Sequence, residues 1–211
     1  MTDFKTEQEH FWAGEFGDAY AARNQGANWV ASNIALFSRI LIRTVTVKSV
    51  IEFGANIGMN IVAMKQLLPE AAFSAVEINE KAAEHLRAIP DLTVYRKSLL
   101  EFVPDQKRDF VLVKGVLIHM NPETLPSIYD LLDRTSRRYV CIAEYYNPKP
   151  VEVEYRGHAG KLFKRDFAGE MLDRIPGLRL VDYGFTYHRD NNFPDDDITW
   201  FLLEKTDPVK E

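Results

Sequence analysis

Residues 50–60 read V-I-E-F-G-A-N-I-G-M-N, and no other stretch constrains the fold of this chain as strongly. A short apolar run ends in Glu52, two glycines follow four residues apart (Gly54 and Gly58), and the residues from Met59 can continue as a helix. Strand, glycine turn and helix start, in that order, turn bare backbone N–H groups toward a ligand. A Cβ at either glycine would obstruct both the turn and a close approach. The stretch therefore predicts a binding turn at the carboxyl end of a strand.

The flanking sequence alternates between helix and strand patterns. Residues 6 to about 24 are aromatic and small (Phe11, Trp12, Phe16, Tyr20), with Gly14 and Gly17 predicting a broken helix. That helix either packs on the body of the domain or covers a ligand. Val30, Ile34, Phe37 and Leu41 predict a helix over 29–42, followed by the β-rich 44–47 and a first strand at Ser49–Phe53. After the turn, 59–68 predicts a helix stopped by Pro69, and Ala72–Glu77 a second strand. A helix from Asn79 or Glu80 to Ile89 is closed by Pro90, and Leu92–Arg96 forms a third strand. Residues 110–113 are apolar throughout, as in a strand buried on both faces.

Asn121-Pro122-Glu123 combines a capping residue, a first-position proline and a first-turn acid, so a helix starts there and runs to about Leu132. A fifth strand at 138–143, a polar segment at 145–161 and a helix at 166–175, ended by Pro176-Gly177, follow. Strands at 179–187 and 198–204 have no helix between them and can pair only as antiparallel neighbours. Five strand–helix repeats with a closing strand pair predict a single α/β domain. Its architecture is a three-layer sandwich, with a sheet parallel except for its last strand.

Bulk properties narrow the function classes. A chain of 211 residues suits one domain with a sizeable core. Its net charge of -5 and lack of a Lys/Arg-rich block argue against nucleic-acid binding. Cys141 is the only cysteine, which excludes an internal disulfide and a cysteine-based zinc site; within the apolar 139–143 it reads as an inert buried thiol. The first five residues lack the apolar region of a secretory signal, and no apolar run approaches the ~20 residues of a membrane span. A cytoplasmic protein with no membrane partner is expected. His10, His85, His119, His158 and His188 form no H-x-x-x-H pair, and 195–197 reads as a solvated acidic loop, so no metal is expected.

An open α/β sheet binds ligands at the carboxyl ends of its strands, where strand order reverses. Glu77, closing the second strand, lies 19 residues beyond Gly58. An ionised carboxylate accepts only, so there it can take both hydroxyls of a ribose; a capping or surface acid is the alternative. Turn and acid together suggest an adenosine-containing ligand. Counting G-x-G-x-x-G from Gly54 puts Asn56 and Met59 where a dinucleotide site needs glycine, so that pattern fails twice.

The pattern E-x-G-x-x-x-G (Glu52, Gly54, Gly58) instead resembles the first motif of class I S-adenosylmethionine-dependent methyltransferases. This resemblance implies S-adenosyl-L-methionine as cofactor and a Rossmann-like, seven-stranded sheet of order 3-2-1-4-5-7-6 with strand 7 antiparallel. It also implies cofactor contacts from Glu52, Gly54, Ala55, Asn56 and Gly58 in the turn, and from Glu77 and Ile78 at the ribose. Ser98 and Leu99 would lie at the adenine, and Lys114, Gly115, Val116 and His119 beside the methionine part. Trp12 and Tyr20 are candidates to cover the cofactor, with plain packing as the alternative. Asn56 replaces the usual central glycine and Ser98 the commoner Asp; Asn tolerates a left-handed backbone, so the turn can survive.

Four longer segments, F-W-A-G-E-F-G-D-A-Y, E-F-G-A-N-I-G-M-N, K-G-V-L-I-H-M-N-P and A-E-Y-Y-N-P-K-P-V-E-V-E-Y-R-G-H, extend the resemblance over nearly the whole chain. Together they are similar to the small methyltransferases associated with pseudaminic acid biosynthesis. The implied acceptor is a nonulosonic sugar, a sugar nucleotide or a related glycan precursor. Segments 144–147 (from Glu144) and 155–161 (from Tyr155) are expected to hold it, through Tyr145, Tyr146, Asn147, Arg156, His158 and Lys161. The tyrosines offer stacking faces and hydroxyls, and the cations can pair with a carboxylate or phosphate. A solvated polar loop is the alternative. His119 is the candidate general base, and a packing histidine its alternative.

By segment, 1–45 is expected to form a helical lid, 46–144 the cofactor-binding core and 145–211 the acceptor side with the terminal strand pair. Two other functions stay open: an NAD-binding oxidoreductase, and a cofactor-binding partner without turnover in a biosynthetic complex.

Overall fold

The computed structural model describes residues 4–23 and 26–206. Residues 1–3, part of the stretch read for a secretory signal, and residue 24, the expected end of the first helical segment, lie outside the described residues, as do residues 207–211.

Two short helices begin the chain, α1 (Glu7–Ala13) and α2 (Glu15–Arg23). A capping box starts α1: Thr6 Oγ1 accepts the Glu9 N–H at 3.2 Å, and Glu9 Oε2 accepts the Thr6 N–H at 2.8 Å. The helix breaks at Gly14, whereas Gly17 lies inside α2. A Cβ on Gly17 would come within 1.9 Å of the Trp12 carbonyl oxygen, so only glycine lets the helices approach this closely. The long helix α3 (Ala27–Leu41) follows, and residues 44–47 form no strand despite their β-branched composition.

The body of the domain comprises β1 (Ser49–Phe53), α4 (Met59–Leu67), β2 (Ala72–Glu77), α5 (Glu80–Arg87), β3 (Leu92–Arg96) and β4 (Arg108–Lys114). It continues through a 3-10 turn at Leu117–His119 to α6 (Leu125–Thr135) and β5 (Ser136–Glu144). The proline start expected for α6 is a separate 3-10 turn, Pro122–Thr124, capped by the Asn121 side chain. A hairpin of β6 (Val151–Tyr155) and β7 (His158–Lys164) precedes α7 (Phe167–Arg174), β8 (Leu178–Phe185) and β9 (Thr199–Lys205).

The seven-stranded sheet has the order β3-β2-β1-β4-β5-β9-β8. With the separate hairpin left out of the count, this is 3-2-1-4-5-7-6, and β9 runs antiparallel to both β5 and β8. Two expectations are corrected. No helix joins β3 to β4: residues 97–107 form turns, and Pro104 stands where a helix would need a backbone donor. The polar segment at 145–161 is not wholly irregular, because Val151, Val153 and Tyr155 alternate with Glu152 and Glu154 as a strand requires. Arg156 and Gly157 both have positive φ (51° and 83°), which suits the two-residue turn that reverses this hairpin.

Period-two alternation along the strands builds a core on each face. Ile51, Phe53, Val111 and Val113 pack against Leu125, Ile128 and Leu132 of α6 and Met171 of α7. Val50, Phe110 and Leu112 pack against Leu36, Phe37 and Ile40 of α3 and Ile61 and Met64 of α4. Burying such side chains yields roughly 1.5–3 kcal/mol each. Strand order reverses between β2–β1 and β4–β5, and the carboxyl ends there frame the site.

Candidate active site

The turn after β1 is left-handed at three residues: Gly54 (φ 70°), Asn56 (φ 48°) and Gly58 (φ 87°). A Cβ on Gly54 would meet Val116 Cγ2 at 2.5 Å, and one on Gly58 would meet Ile89 Cδ1 at 2.5 Å. Asn56 is the one non-glycine residue of the three, and its N–H donates to Glu77 Oε2 at 2.7 Å. The Asn79 N–H donates to Glu77 Oε1 at 2.8 Å, so the carboxylate is fixed from both sides. The carboxylate keeps acceptor capacity for a ligand. Burial pushes the Glu77 pKa up, against the pull of its three backbone donors, Asn79, Asn56 and Ile78.

Beneath the turn, Glu52 is fully buried. Asn60 Nδ2 donates to its Oε1 at 2.6 Å, while Oε2 has no hydrogen-bond partner among the described residues. Burial pushes its pKa up to about 8, moderated by the Asn60 hydrogen bond and the Lys114 charge. A buried acceptor left open beside a ligand turn is suited to a donor from that ligand.

A cavity of about 100 Å³ lies over the ends of β1 and β2. Gly54, Asn56, Glu77 and Ile78 line one side, Ser98 and Leu99 the β3 side, and Gly115, Val116 and His119 the β4 side. Its cover comes from the N-terminal helices, through Gln8, Glu9, Trp12, Gly17 and Tyr20. Asn79 fastens that cover, since its Nδ2 donates to Asp18 Oδ1 at 2.8 Å and to the Trp12 carbonyl at 3.3 Å. At the β3 side, the Ser98 hydroxyl donates to Glu9 Oε1.

The segment after β4 is held by a carboxylate. Glu144 Oε1 accepts the N–H groups of Val116 and Leu117, both at 2.9 Å, and so caps the 3-10 turn that carries His119. Burial pushes Glu144 up to about 7, with those N–H groups opposing. His119 Nδ1 lies 2.6 Å from the Lys161 carbonyl oxygen. A carbonyl cannot donate, so Nδ1 carries the proton and Nε2 is left as an acceptor. Burial pushes the imidazole down to about 4. Its ring packs against both Trp12 and Tyr155, with centroids at 4.6 and 4.8 Å.

A second cavity, of about 310 Å³, adjoins the first and shares Tyr20, Gly54, Asn56, Gly115 and His119 with it. Its remaining wall mixes polar side chains (Asn33, Asn60, Lys114, Tyr145, Arg156 and Asp196) with apolar ones, among them Trp29, Ile57, Met59, Ile118 and Ile198. Lys114 Nζ is paired with Asp195 at 3.3 Å and donates to Asn33 Oδ1 at 3.2 Å, which ties β4 to the 195–197 loop and α3. Burial and the neighbouring Asp196 push the Tyr145 hydroxyl pKa up. The hairpin turn presents Arg156 to this cavity.

Of the residues expected to touch a cofactor, Ala55 and Lys114 line the second cavity and not the first. Glu52 and Gly58 line neither; Gly58 packs against Leu86 and Ile89. Of those expected to hold an acceptor, Tyr145 and Arg156 line the second cavity. Tyr146, on the opposite side of an extended backbone, lies tilted against Phe201 at 5.9 Å, and Asn147 Nδ2 donates to the Lys149 carbonyl. His158 meets the edges of Phe11 and Phe16, and Lys161 pairs with Glu7 at 3.2 Å. These last two fasten the hairpin to α1. Sequence reasoning passed over Glu9, Asn33 and Asn60, and reached Glu144 and Tyr155 only as the ends of the segments expected to hold an acceptor. The V-E-V-E-Y alternation marks Tyr155 as a strand residue, whereas Asn33 and Asn60 occupy helix positions that carry no signal.

Among the described residues, no group of three or more His, Cys, Asp or Glu side chains could hold a metal ion. None of their helices is long and apolar enough to cross a membrane.

No protein-family model and no curated protein matches the chain. Solved structures do. The chain resembles the Burkholderia thailandensis 1,6-didemethyltoxoflavin-N1-methyltransferase, crystallised with 1,6-didemethyltoxoflavin and S-adenosylhomocysteine, with a TM-score of 0.66 and 13% identity over 90% of this chain and 84% of that one. It also resembles the plantazolicin methyltransferase BpumL in complex with S-adenosylhomocysteine (TM-score 0.64, 10% identity, 95% and 94% covered). A third is a SAM-dependent methyltransferase from Archaeoglobus fulgidus (TM-score 0.63, 13% identity, 90% and 100% covered). At these identities the likeness is one of fold: the chain folds as the class I S-adenosylmethionine-dependent methyltransferases do.

Proposed function

We propose that this protein transfers a methyl group from S-adenosyl-L-methionine to a small-molecule acceptor of the nonulosonic (pseudaminic-type) sugar, sugar-nucleotide or related glycan-precursor class. One geometric relation carries this reading. A cavity holding a fixed carboxylate, Glu77, opens past Gly54, Gly115 and His119 into a larger cavity of mixed lining that includes Lys114, Tyr145, Arg156 and Asp196. The first suits an adenosyl ligand and the second an acceptor rich in hydroxyl and acidic groups. Two structures of this fold crystallised with S-adenosylhomocysteine support the choice of cofactor.

The residues present fit such a cofactor. Glu77 can accept from the ribose hydroxyls, and Ile78 and Leu99 offer apolar walls to a base. When bound, the cofactor supplies an electrophilic methyl group on a sulfonium. The work left to the chain is to align the acceptor and keep water out. Trp12 and Tyr20, on the helical cover, exclude water. Neutral His119 accepts a hydrogen bond through Nε2 from the acceptor's hydroxyl or amine and so orients the attacking atom. Arg156 pairs with an acceptor carboxylate or phosphate, and Tyr145 contributes a hydroxyl and a ring face. In this reading α1 and α2 are the lid, 46–144 the cofactor core and 145–211 the acceptor side. A reducing, cytoplasmic compartment suits its single buried thiol, Cys141.

Calorimetry with S-adenosylhomocysteine and with NAD tests the cofactor: binding of the first alone is expected, and binding of NAD alone would sink the proposal. Labelled cofactor incubated with a panel of nonulosonic acids and their nucleotide-linked precursors tests the acceptor. Label in one of them is expected. Tight cofactor binding with every acceptor left unlabelled would favour a binding partner without turnover.

A further inference from the structure

We infer that Glu9, on the N-terminal helix α1, reads the base of the bound nucleoside by accepting a hydrogen bond from the exocyclic amine of adenine. This assignment rests on the adenosyl reading above.

The first cavity contains two carboxylates, Glu77 and Glu9. Adenosine presents two sets of donors, the ribose hydroxyls and the 6-amino group, and carboxylates are acceptor-only groups suited to both. Direction decides which carboxylate meets which set. The acceptor cavity adjoins the first at Gly115 and His119, on the β4 side, so the sulfonium end of the ligand must lie there. With the ribose at Glu77 on β2, the base extends the other way, over β3. The β2–β3 register pairs Glu77 with Arg96, which puts Ser98 and Leu99 just past the end of the neighbouring strand. Adjacent strands lie about 4.8 Å apart, a distance that a purine readily spans. The carboxylate over that end is Glu9, held there by the Ser98 hydroxyl.

The two oxygens of Glu9 are used unequally. Oε2 accepts three donors: the N–H groups of Lys5 at 2.7 Å and Thr6 at 2.8 Å, and Thr6 Oγ1 at 3.2 Å. Oε1 accepts from Ser98 alone among the described residues. Capping α1 therefore occupies one oxygen and leaves the other with spare acceptor capacity in a cavity wall, on a side chain only 5% exposed. A glutamate needed only as a cap would lie at the surface. In this position it accepts from an amino group at C6 and repels a carbonyl oxygen there, so it selects adenosyl over inosyl ligands.

Calorimetric titration with S-adenosylhomocysteine and S-inosylhomocysteine tests the assignment. The unaltered protein should prefer the adenosyl ligand by about tenfold or more, the scale of a charge-assisted hydrogen bond. Glu9→Gln keeps the capping box, because Gln also serves at that position. Its amide can donate to a 6-oxo group, so the preference should fall to within about threefold. The ratio of the two affinities does not depend on the fraction folded, which separates base reading from loss of the cap. An unaltered protein that binds both ligands equally, or a Glu9→Gln variant that keeps the full preference, would overturn the role of Glu9 alone. If neither nucleoside binds the unaltered protein, the adenosyl reading falls and takes this assignment with it.

Discussion

His119 Nδ1 lies 2.6 Å from the main-chain oxygen of Lys161, and this contact dictates which face of the imidazole can act. The proton must sit on Nδ1, and the hairpin that supplies Lys161 also supplies Tyr155, tilted against the ring, and Arg156 in the second cavity. Nε2 is therefore oriented by the same hairpin whose turn lines the second cavity.

His119→Asn should lower turnover by about 10²-fold or more, as for loss of a positioned proton acceptor, while S-adenosylhomocysteine affinity stays within about threefold. Because burial pushes the imidazole pKa down to about 4, no inflection from His119 is expected in a rate profile between pH 6 and 8. Steady-state kinetics and calorimetry check both statements; a large loss of affinity with turnover retained would make His119 a binding residue.

Glu77→Ala should weaken S-adenosylhomocysteine binding by about 1–3 kcal/mol through loss of charge-assisted hydrogen bonds. It also leaves the Asn56 and Asn79 N–H groups without their carboxylate, so some loss of stability should accompany it. Unchanged affinity would remove Glu77 from the site.

Gly58→Ala should destabilise the protein by about 1–3 kcal/mol, since a left-handed residue is strained and the added carbon meets Ile89 Cδ1 at 2.5 Å. Asn56→Gly should lie within about 1 kcal/mol of the parent, because glycine accepts the φ of 48° without strain. Urea denaturation midpoints decide both.

Stability of the ligand-free protein should fall as pH rises from about 6.5 to 8. The folded pKa values of Glu144 (about 7) and Glu52 (about 8) are raised, so their contribution is complete below the ordinary carboxylate range and is lost as pH climbs through those values. His119 has the opposite sign: its folded value is lowered, so its contribution is present above 6.5 and lost as pH falls toward 4. Above 6.5 only the carboxyl slope remains. Glu144→Gln should flatten part of it, as read by thermal unfolding across that range; a flat parent profile would contradict the two buried carboxyls.

Arg156→Ala should raise the acceptor KM about tenfold, the loss of one charge-assisted contact, with S-adenosylhomocysteine affinity unchanged because Arg156 lines only the second cavity. Competition kinetics with each ligand separates the two effects.

Local chemistry carried the fold a long way. The turn at Gly54–Asn56–Gly58, the strands on either side of it and the antiparallel ending are local consequences of apolar runs, glycine positions and the missing final crossover helix. Glu77 was equally legible, because a strand end and its distance from a turn are sequence quantities. The hairpin is written in V-E-V-E-Y, but its charged residues and the lack of a flanking core obscure the alternation.

What the chain alone determined, then, is a sheet with a ligand turn at its switch point and a carboxylate beside it. Only tertiary structure decided what surrounds them. Glu9 reaches Ser98 across 89 residues, Glu144 caps the turn of His119 from a neighbouring strand, and Lys161 sets the tautomer of that histidine. Each of these is a contact between segments remote in sequence. It depends on how helices and hairpin pack over the sheet, and no local propensity or spacing encodes it.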